Sequence, residues 1–194
     1  MMQNVGLENQ KDEDLIPLIL KNGDYFVYLV DRYEKKLSRY IKRIAGLNHQ
    51  DTEDVLQNIF LKVYQNLNDF DVSLKFSSWI YRISHNEIIS FWRKTKARPQ
   101  FIGGEEIDEF LHNIASEINT GKEIEDKNLR DDIKKILAKI DLKYREVLIL
   151  KSLEEKSYEE ISDILKKPMG TVATLINRAK KQFKKEAGNL KINF

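Results

Sequence analysis

From Asp24 onward, apolar residues recur at the spacing of a helix rather than of a strand. Phe26, Leu29, Val30, Tyr33, Leu37, Tyr40, Ile41 and Ile44 lie three or four apart and so share one side of a helix, which the pattern predicts from Asp24 to about Ala45. Gly46 suits its C-terminal end, and Lys42 and Arg43 complement the dipole there. A second stripe, Val55, Ile59, Val63 and Leu67, widened by Leu56 and Phe60, predicts a helix capped at Asp51 or Thr52. A third helix is predicted from Ser77 to Lys94. Phe76, Trp79, Ile80, Ile83 and Phe91 fall on one side of it as expected core, and Tyr81, His85, Ile88 and Trp92 fall on the other, beside Arg82, Ile89, Arg93 and Lys94. Two readings of that second side stand open. It is an aromatic and basic surface suited to single-stranded nucleic acid, or the helix is sandwiched between two layers with Tyr81 and Trp92 buried.

Around these, Asp14 to Leu20 predicts a short helix ended by Asn22-Gly23, and residues 1–13 read as a frayed polar end. Asn66 to Lys75 reads as a loop whose Phe70 either tucks back on the domain or is offered to a ligand. Arg98-Pro99 interrupts the helical pattern, since proline disfavours the helical region for its predecessor.

Helical periodicity resumes from Leu129 to Ile140 and again from Tyr144 to Leu153. Ser157-Tyr-Glu-Glu160 is a capping box opening a short helix through Ile161, Ile164 and Leu165. Lys167-Pro-Met-Gly170 reads as a turn, after which Thr171 caps a helix with Val172, Ile176, Ala179 and Phe183 inward. Its outward residues are Ala173, Thr174, Asn177, Arg178 and Lys181, with further lysines beyond. That pair of helices fits a DNA-reading helix-turn-helix, because Asn and Arg pair with adenine and guanine edges while lysines hold phosphates.

Charge sharpens the division. Residues 1–98 carry 15 Lys and Arg against 13 Asp and Glu, residues 99–128 carry 2 against 8, and residues 129–194 carry 16 against 10. Two basic blocks around an acidic one predict an all-α chain of two small helical domains, 1–98 and 129–194, joined by an acidic linker over 99–128. The absence of cysteine excludes disulfides and thiolate metal sites. With no run of 18 apolar residues and no signal-peptide pattern, the expectation is a cytoplasmic chain without membrane insertion.

Catalytic chemistry finds little footing. Asp51, Glu53 and Asp54 point in different directions from one turn, and His85 has only Glu87 nearby, two residues on. No catalytic residue, metal or cofactor is expected, and no enzymatic activity. Asp54, Gln57, Asn58 and Leu61 share a face on the second helix, and a leucine among uncharged polar groups is either a stray exposed residue or part of a docking face.

Four segments together resemble the bacterial RNA polymerase sigma factors of the extracytoplasmic-function (ECF) class, which keep sigma domains two and four. Asp51-Thr-Glu-Asp-Val-Leu-Gln-Asn-Ile-Phe60 is similar to the acidic-Gln-Phe signature of domain two, and Phe76-Ser-Ser-Trp-Ile-Tyr-Arg-Ile-Ser-His-Asn86 to its Trp-to-Asn helix. Tyr144-Arg-Glu-Val resembles the start of domain four, and Pro168-Met-Gly-Thr-Val172 through Arg178-Ala179 its helix-turn-helix. The resemblance covers nearly the whole chain apart from the linker.

The resemblance implies that Asp54, Gln57, Asn58 and Leu61 grip core polymerase. It implies that Phe70 and Asn86, with the loop from Asp69 to Phe76, capture a flipped base of the −10 element, while Arg82, Arg93 and Lys94 hold the nearby strand. Thr171, Thr174, Asn177, Arg178 and Lys181 fall where the family engages the −35 element. The implied partners are core RNA polymerase and promoter DNA, with an anti-sigma factor as a further one, and the free chain is expected to be a monomer. Asn58 departs from the usual glutamate, and Ala173 and Leu175 stand where many members carry basic residues. The alternative is a helix-turn-helix regulator that acts without docking on core polymerase, which leaves the Asp54 to Leu61 face and the Trp79 to Asn86 helix without a task.

Overall fold

The structure, a computed structural model, describes residues 7–95 and 135–189. All regular structure among them is helical: α1 (Asp12–Lys21), α2 (Phe26–Ala45), α3 (His49–Gln65), α4 (Phe76–Thr95), α5 (Leu142–Ser152), α6 (Tyr158–Leu165) and α7 (Met169–Asn189), with 3-10 turns and a helical stretch over 135–139 between or beside them. The expected linker over 99–128 and the start of the helix expected from Leu129 lie outside the described residues.

The N-terminal unit is a bundle of α2, α3 and α4 closed at one end by α1. The α2 stripe performs as its spacing predicts: Leu29, Leu37, Tyr40 and Ile41 are wholly buried. Gly46 ends α2 in the left-handed conformation, φ 61°, that glycine adopts without steric cost. Asp12 ties α1 to α2 by accepting from Arg32 Nη1 at 2.7 Å and from the Tyr33 hydroxyl at 2.5 Å. Burial, and then the Asp12 carboxylate, raise the Tyr33 phenol well above its ordinary range, so it stays a donor. Glu13 accepts from the Phe76 amide at 2.7 Å, which satisfies an orphan N–H of α4 and puts negative charge at its positive end.

The C-terminal unit packs α5 and α6 against the long α7. Val172, Ile176, Ala179 and Phe183 face inward with no exposure, as the sequence predicts. The capping box is complete: Ser157 Oγ accepts from the Glu160 amide at 3.1 Å while Glu160 Oε2 accepts from the Ser157 amide at 2.8 Å. Buried Arg145 donates to the carbonyls of Ala138 and Ile140, fastening the 135–139 stretch to α5.

Several helix ends shift by one or two residues, and at three boundaries the residue that makes the cap or turn differs from the sequence expectation. The cap of α3 is Asn48, whose side chain accepts from the Asp51 amide at 2.8 Å, so the helix begins at His49 and Asp51 lies in its first turn. The turn between α6 and α7 is made by Lys166 at φ 51° and not by glycine. Met169 opens α7 behind Pro168, so Gly170 and Thr171 lie inside the first turn and Thr171 is not its cap.

The largest difference concerns α4. Tyr81, Ile88 and Trp92, on the side read as a possible nucleic-acid surface, are buried, and His85 between them is half-buried; Trp79, Ile83 and Phe91 are only partly covered. The second open reading is the correct one, because α6 lies along α4 while α5 meets α2. The helix is apolar on two sides because it stands between two layers.

Candidate nucleic-acid and polymerase interfaces

Three groups of residues emerge on different parts of this scaffold. On α3, Asp54, Gln57, Asn58 and Leu61 are all exposed, at the 3.6-residue spacing that puts them on one face. Leu61 is 54 % exposed and Tyr64, one turn on, 49 %. Two such side chains in water beside the Gln57 and Asn58 amides and the Asp54 carboxylate form a surface suited to burial against another protein.

Beside it lies a pocket of about 290 Å³ lined by Lys62, Asn66, Asp69, Trp79, Ile83, Asn86 and Glu87. Here α4 contributes residues at i, i+4, i+7 and i+8, and α3 closes the other wall through Lys62, which pairs with Glu87. Exposed Asn86 and partly covered Trp79 line the same pocket, so a side-chain amide and an aromatic ring are offered together to one planar group. Phe70 is a correction. Its ring does not reach outward but packs against Phe76 at 5.6 Å and Trp79 at 5.1 Å between ring centroids, and it is 7 % exposed. An apolar ring beside two others gains more from that edge contact than from water, so Phe70 backs Trp79. Arg82 is half-buried, whereas Arg93 and Lys94 are exposed at the end of α4.

On α7, Thr171, Thr174, Asn177, Arg178 and Lys181 are exposed together, opposite the buried stripe. Thr174 spends its hydroxyl hydrogen on the Gly170 carbonyl at 2.8 Å, which leaves its methyl and an acceptor outward. Arg178, Lys181, Lys184 and Lys185 continue a basic face toward the end of the helix, suited to phosphates. Among the described residues no group of three or more His, Asp or Glu is placed to hold a metal ion, and no helix is long and apolar enough to cross a membrane.

Against known proteins, residues 29–98 match the model of Sigma-70 region 2 and residues 130–183 that of Sigma-70, region 4. The ECF RNA polymerase sigma factor SigW of Bacillus subtilis (strain 168) is 33 % identical over 177 residues, 88 % of this chain and 94 % of SigW. The chain belongs to the ECF RNA polymerase sigma factors. As a sigma factor it binds core RNA polymerase and directs promoter-specific transcription initiation, and the match over residues 29–98 accounts for the unit that a regulator without polymerase docking left unexplained. The fold agrees with two solved complexes. CnrH bound to the cytosolic domain of CnrY has a TM-score of 0.65 at 22 % identity, covering 89 % of this sigma factor and 94 % of that chain. Sigma factor RpoE bound to the anti-sigma factor NepR from Bartonella quintana has a TM-score of 0.62 at 20 % identity, covering 87 % and 98 %.

Sequence reasoning missed two sets of residues in this sigma factor. Lys62, Asn66, Trp79, Ile83 and Glu87 around Asn86 carried a usable signal, since the α4 members repeat at helical spacing. Tyr40, Arg43, Glu146 and Glu154, which join the two units, carried none. Their hydrogen bonds link residues 106 and 111 apart.

Proposed function

We propose that this sigma factor divides its work among the three surfaces. Asp54, Gln57, Asn58 and Leu61 dock on core polymerase. The Asn86 pocket, with Asp69 and Trp79, receives an unstacked base of the −10 element, while Arg82, Arg93 and Lys94 hold the strand beside it. Thr171, Thr174, Asn177, Arg178 and Lys181 engage the −35 element in the major groove. Unstacking a base costs a few kcal/mol, and a pocket that stacks and hydrogen-bonds it offsets that cost. The observation that carries the reading is the joint exposure of both helix faces on separate units, each opposite its own buried stripe.

In the same reading the units extend over 1–98 and 129–194 with the acidic linker 99–128 between them. The protein works in the cytoplasm as a transcription factor rather than an enzyme, and is a monomer when free. A neighbour in fold is bound to an anti-sigma factor, and a regulator of that class is a further partner here. The decisive experiment is transcription in vitro with purified bacterial core polymerase on a library of genomic fragments. Initiation at defined start points sharing two upstream elements is expected, and no initiation at any defined point would overturn the reading.

A further inference from the structure

Two neighbouring residues of α1 meet at the start of α4. Glu13 Oε1 accepts from the Phe76 amide at 2.7 Å, across 63 positions of sequence. Asp12 accepts from the Tyr33 hydroxyl at 2.5 Å, and the Tyr33 ring packs edge-on against Phe76 with centroids 5.6 Å apart. The wholly buried Phe76 is thus held both by its backbone and by its ring.

The cap for α4 comes from elsewhere in the chain. Lys75, just before the helix, has a side chain that only donates, and no acid stands in the first turn. One of the amides orphaned at that end is met instead by α1. The support is firm. Leu15, Ile16 and Ile19 bury the inner side of α1. Arg32 clamps its start, donating to Asp12 Oδ1 at 2.7 Å and to the Leu7 and Glu8 carbonyls at 2.9 and 2.7 Å.

What α4 carries onward from that point is the pocket. Trp79, Ile83, Asn86 and Glu87 line it from this one helix. Phe76 stands 5.7 Å from Trp79 and 5.6 Å from Phe70 between ring centroids. The loop over 71–75 runs between two anchored rings, and Asp71 tightens it by accepting from the Ser73 amide at 2.9 Å. Where Phe76 sits therefore decides where Trp79 presents its ring and where the loop after Asp69 closes. A tilt of α4 about its start would displace all four pocket residues together, and a site loses affinity when its supporting shell is loose.

We propose, on the −10 reading of that pocket, that Glu13 is a positioning residue for the unstacked base. It stands behind the pocket, outside its lining, and acts through the Phe76 amide by fixing the helix start that sets Trp79 and Asn86 against the base. Without this hydrogen bond the pocket is in place for only a fraction of the time, and apparent affinity for the base falls by that fraction. The short helix α1 thereby belongs to the base-capturing apparatus as well as to the core.

The test uses holoenzyme assembled from core polymerase and the full chain. The probe is a forked DNA from a fragment that initiates in the transcription assay, paired over the −35 element and single-stranded over the −10 element. Each base of the −10 element is replaced in turn by an abasic site. The ratio of affinities for the intact and abasic probes then reads the capture of one base, and in the parent it is expected to reach about tenfold at one position. In Glu13→Ala that ratio is expected to fall about threefold to tenfold, while affinity for the abasic probe stays close to the parent's. A general loss of structure would weaken both probes alike. Glu13→Asp keeps the charge but draws the oxygen back by one methylene; it is expected to behave as Glu13→Ala and keeps the test alive where that variant does not fold. Glu13→Gln retains the length and an acceptor oxygen, and is expected to keep the parent's ratio. An unchanged ratio in the folded Ala and Asp variants, an equal loss on both probes, or a ratio in Glu13→Gln as low as in Glu13→Ala overturns the assignment. A parent indifferent to every abasic position would instead overturn the −10 reading of the pocket, so the two failures are told apart.

Discussion

Leu61 concentrates the docking proposal in one side chain. It is 54 % exposed, so Leu61→Asp vacates no core and is expected to change the melting free energy by less than about 0.5 kcal/mol. Affinity for core polymerase is expected to fall by more than about 1 kcal/mol, as for a buried interface anchor; titration calorimetry showing unchanged affinity would remove the face. Arg178→Ala is expected to lower occupancy of a matched −35 site by about 1–3 kcal/mol. An equal loss on a scrambled −35 sequence would make Arg178 a phosphate contact only. Residues such as these were legible in the sequence, because a 3.6-residue period says which side of a helix is wet once the stripe opposite is known. Phe70 was not, since its position depends on where Phe76 and Trp79 present their rings across a loop.

At the scale of elements, α6 owes its start to Ser157 and Glu160. Ser157→Ala is expected to cost the C-terminal unit about 0.5–2 kcal/mol in a thermal or denaturant melt. Partial burial raises the Glu160 carboxyl, but the Ser157 amide, Lys75 and Lys156 outweigh it and hold the group below its ordinary 4.5. Its folded value is therefore depressed, so its contribution is present above about pH 4.5 and is lost as pH falls through the lower folded value. The fall in melting temperature below pH 4.5 is accordingly expected to be smaller in Glu160→Gln than in the parent protein. This capping box was plain from four letters of sequence. The start of α3 was not, because Asn48 and Asp51 are both good caps, and the backbone, extended at Asn48, chose the earlier one.

Across the whole molecule, the seam between units carries the coupling. Burial raises Glu154 above its ordinary value, against the lowering effect of Tyr81 and Arg43. Burial and then the nearby carboxylates hold the Tyr40 and Tyr81 phenols protonated as donors. A double-mutant cycle with Tyr81→Phe and Glu154→Gln is expected to show an interaction of about 0.5–3 kcal/mol in chain stability, whereas Tyr81→Phe with Ser157→Ala is expected to add within about 0.5 kcal/mol. Additivity in the first cycle would mean that the Tyr81 hydroxyl and Glu154 are neighbours without being coupled.

Periodicity, caps and charge blocks determined, from the sequence alone, an all-helical chain of two units, the exposed faces of α3 and α7, and the motifs that place it among ECF sigma factors. Those features are local, set by residues within one or two helical turns. Tertiary structure alone decided that the second side of α4 is covered by α6, that Phe70 supports a pocket, and that two carboxylates bind four side chains between 61 and 111 positions earlier. Which of two amphipathic sides meets protein depends on a partner surface distant in sequence, and no local pattern encodes that distance.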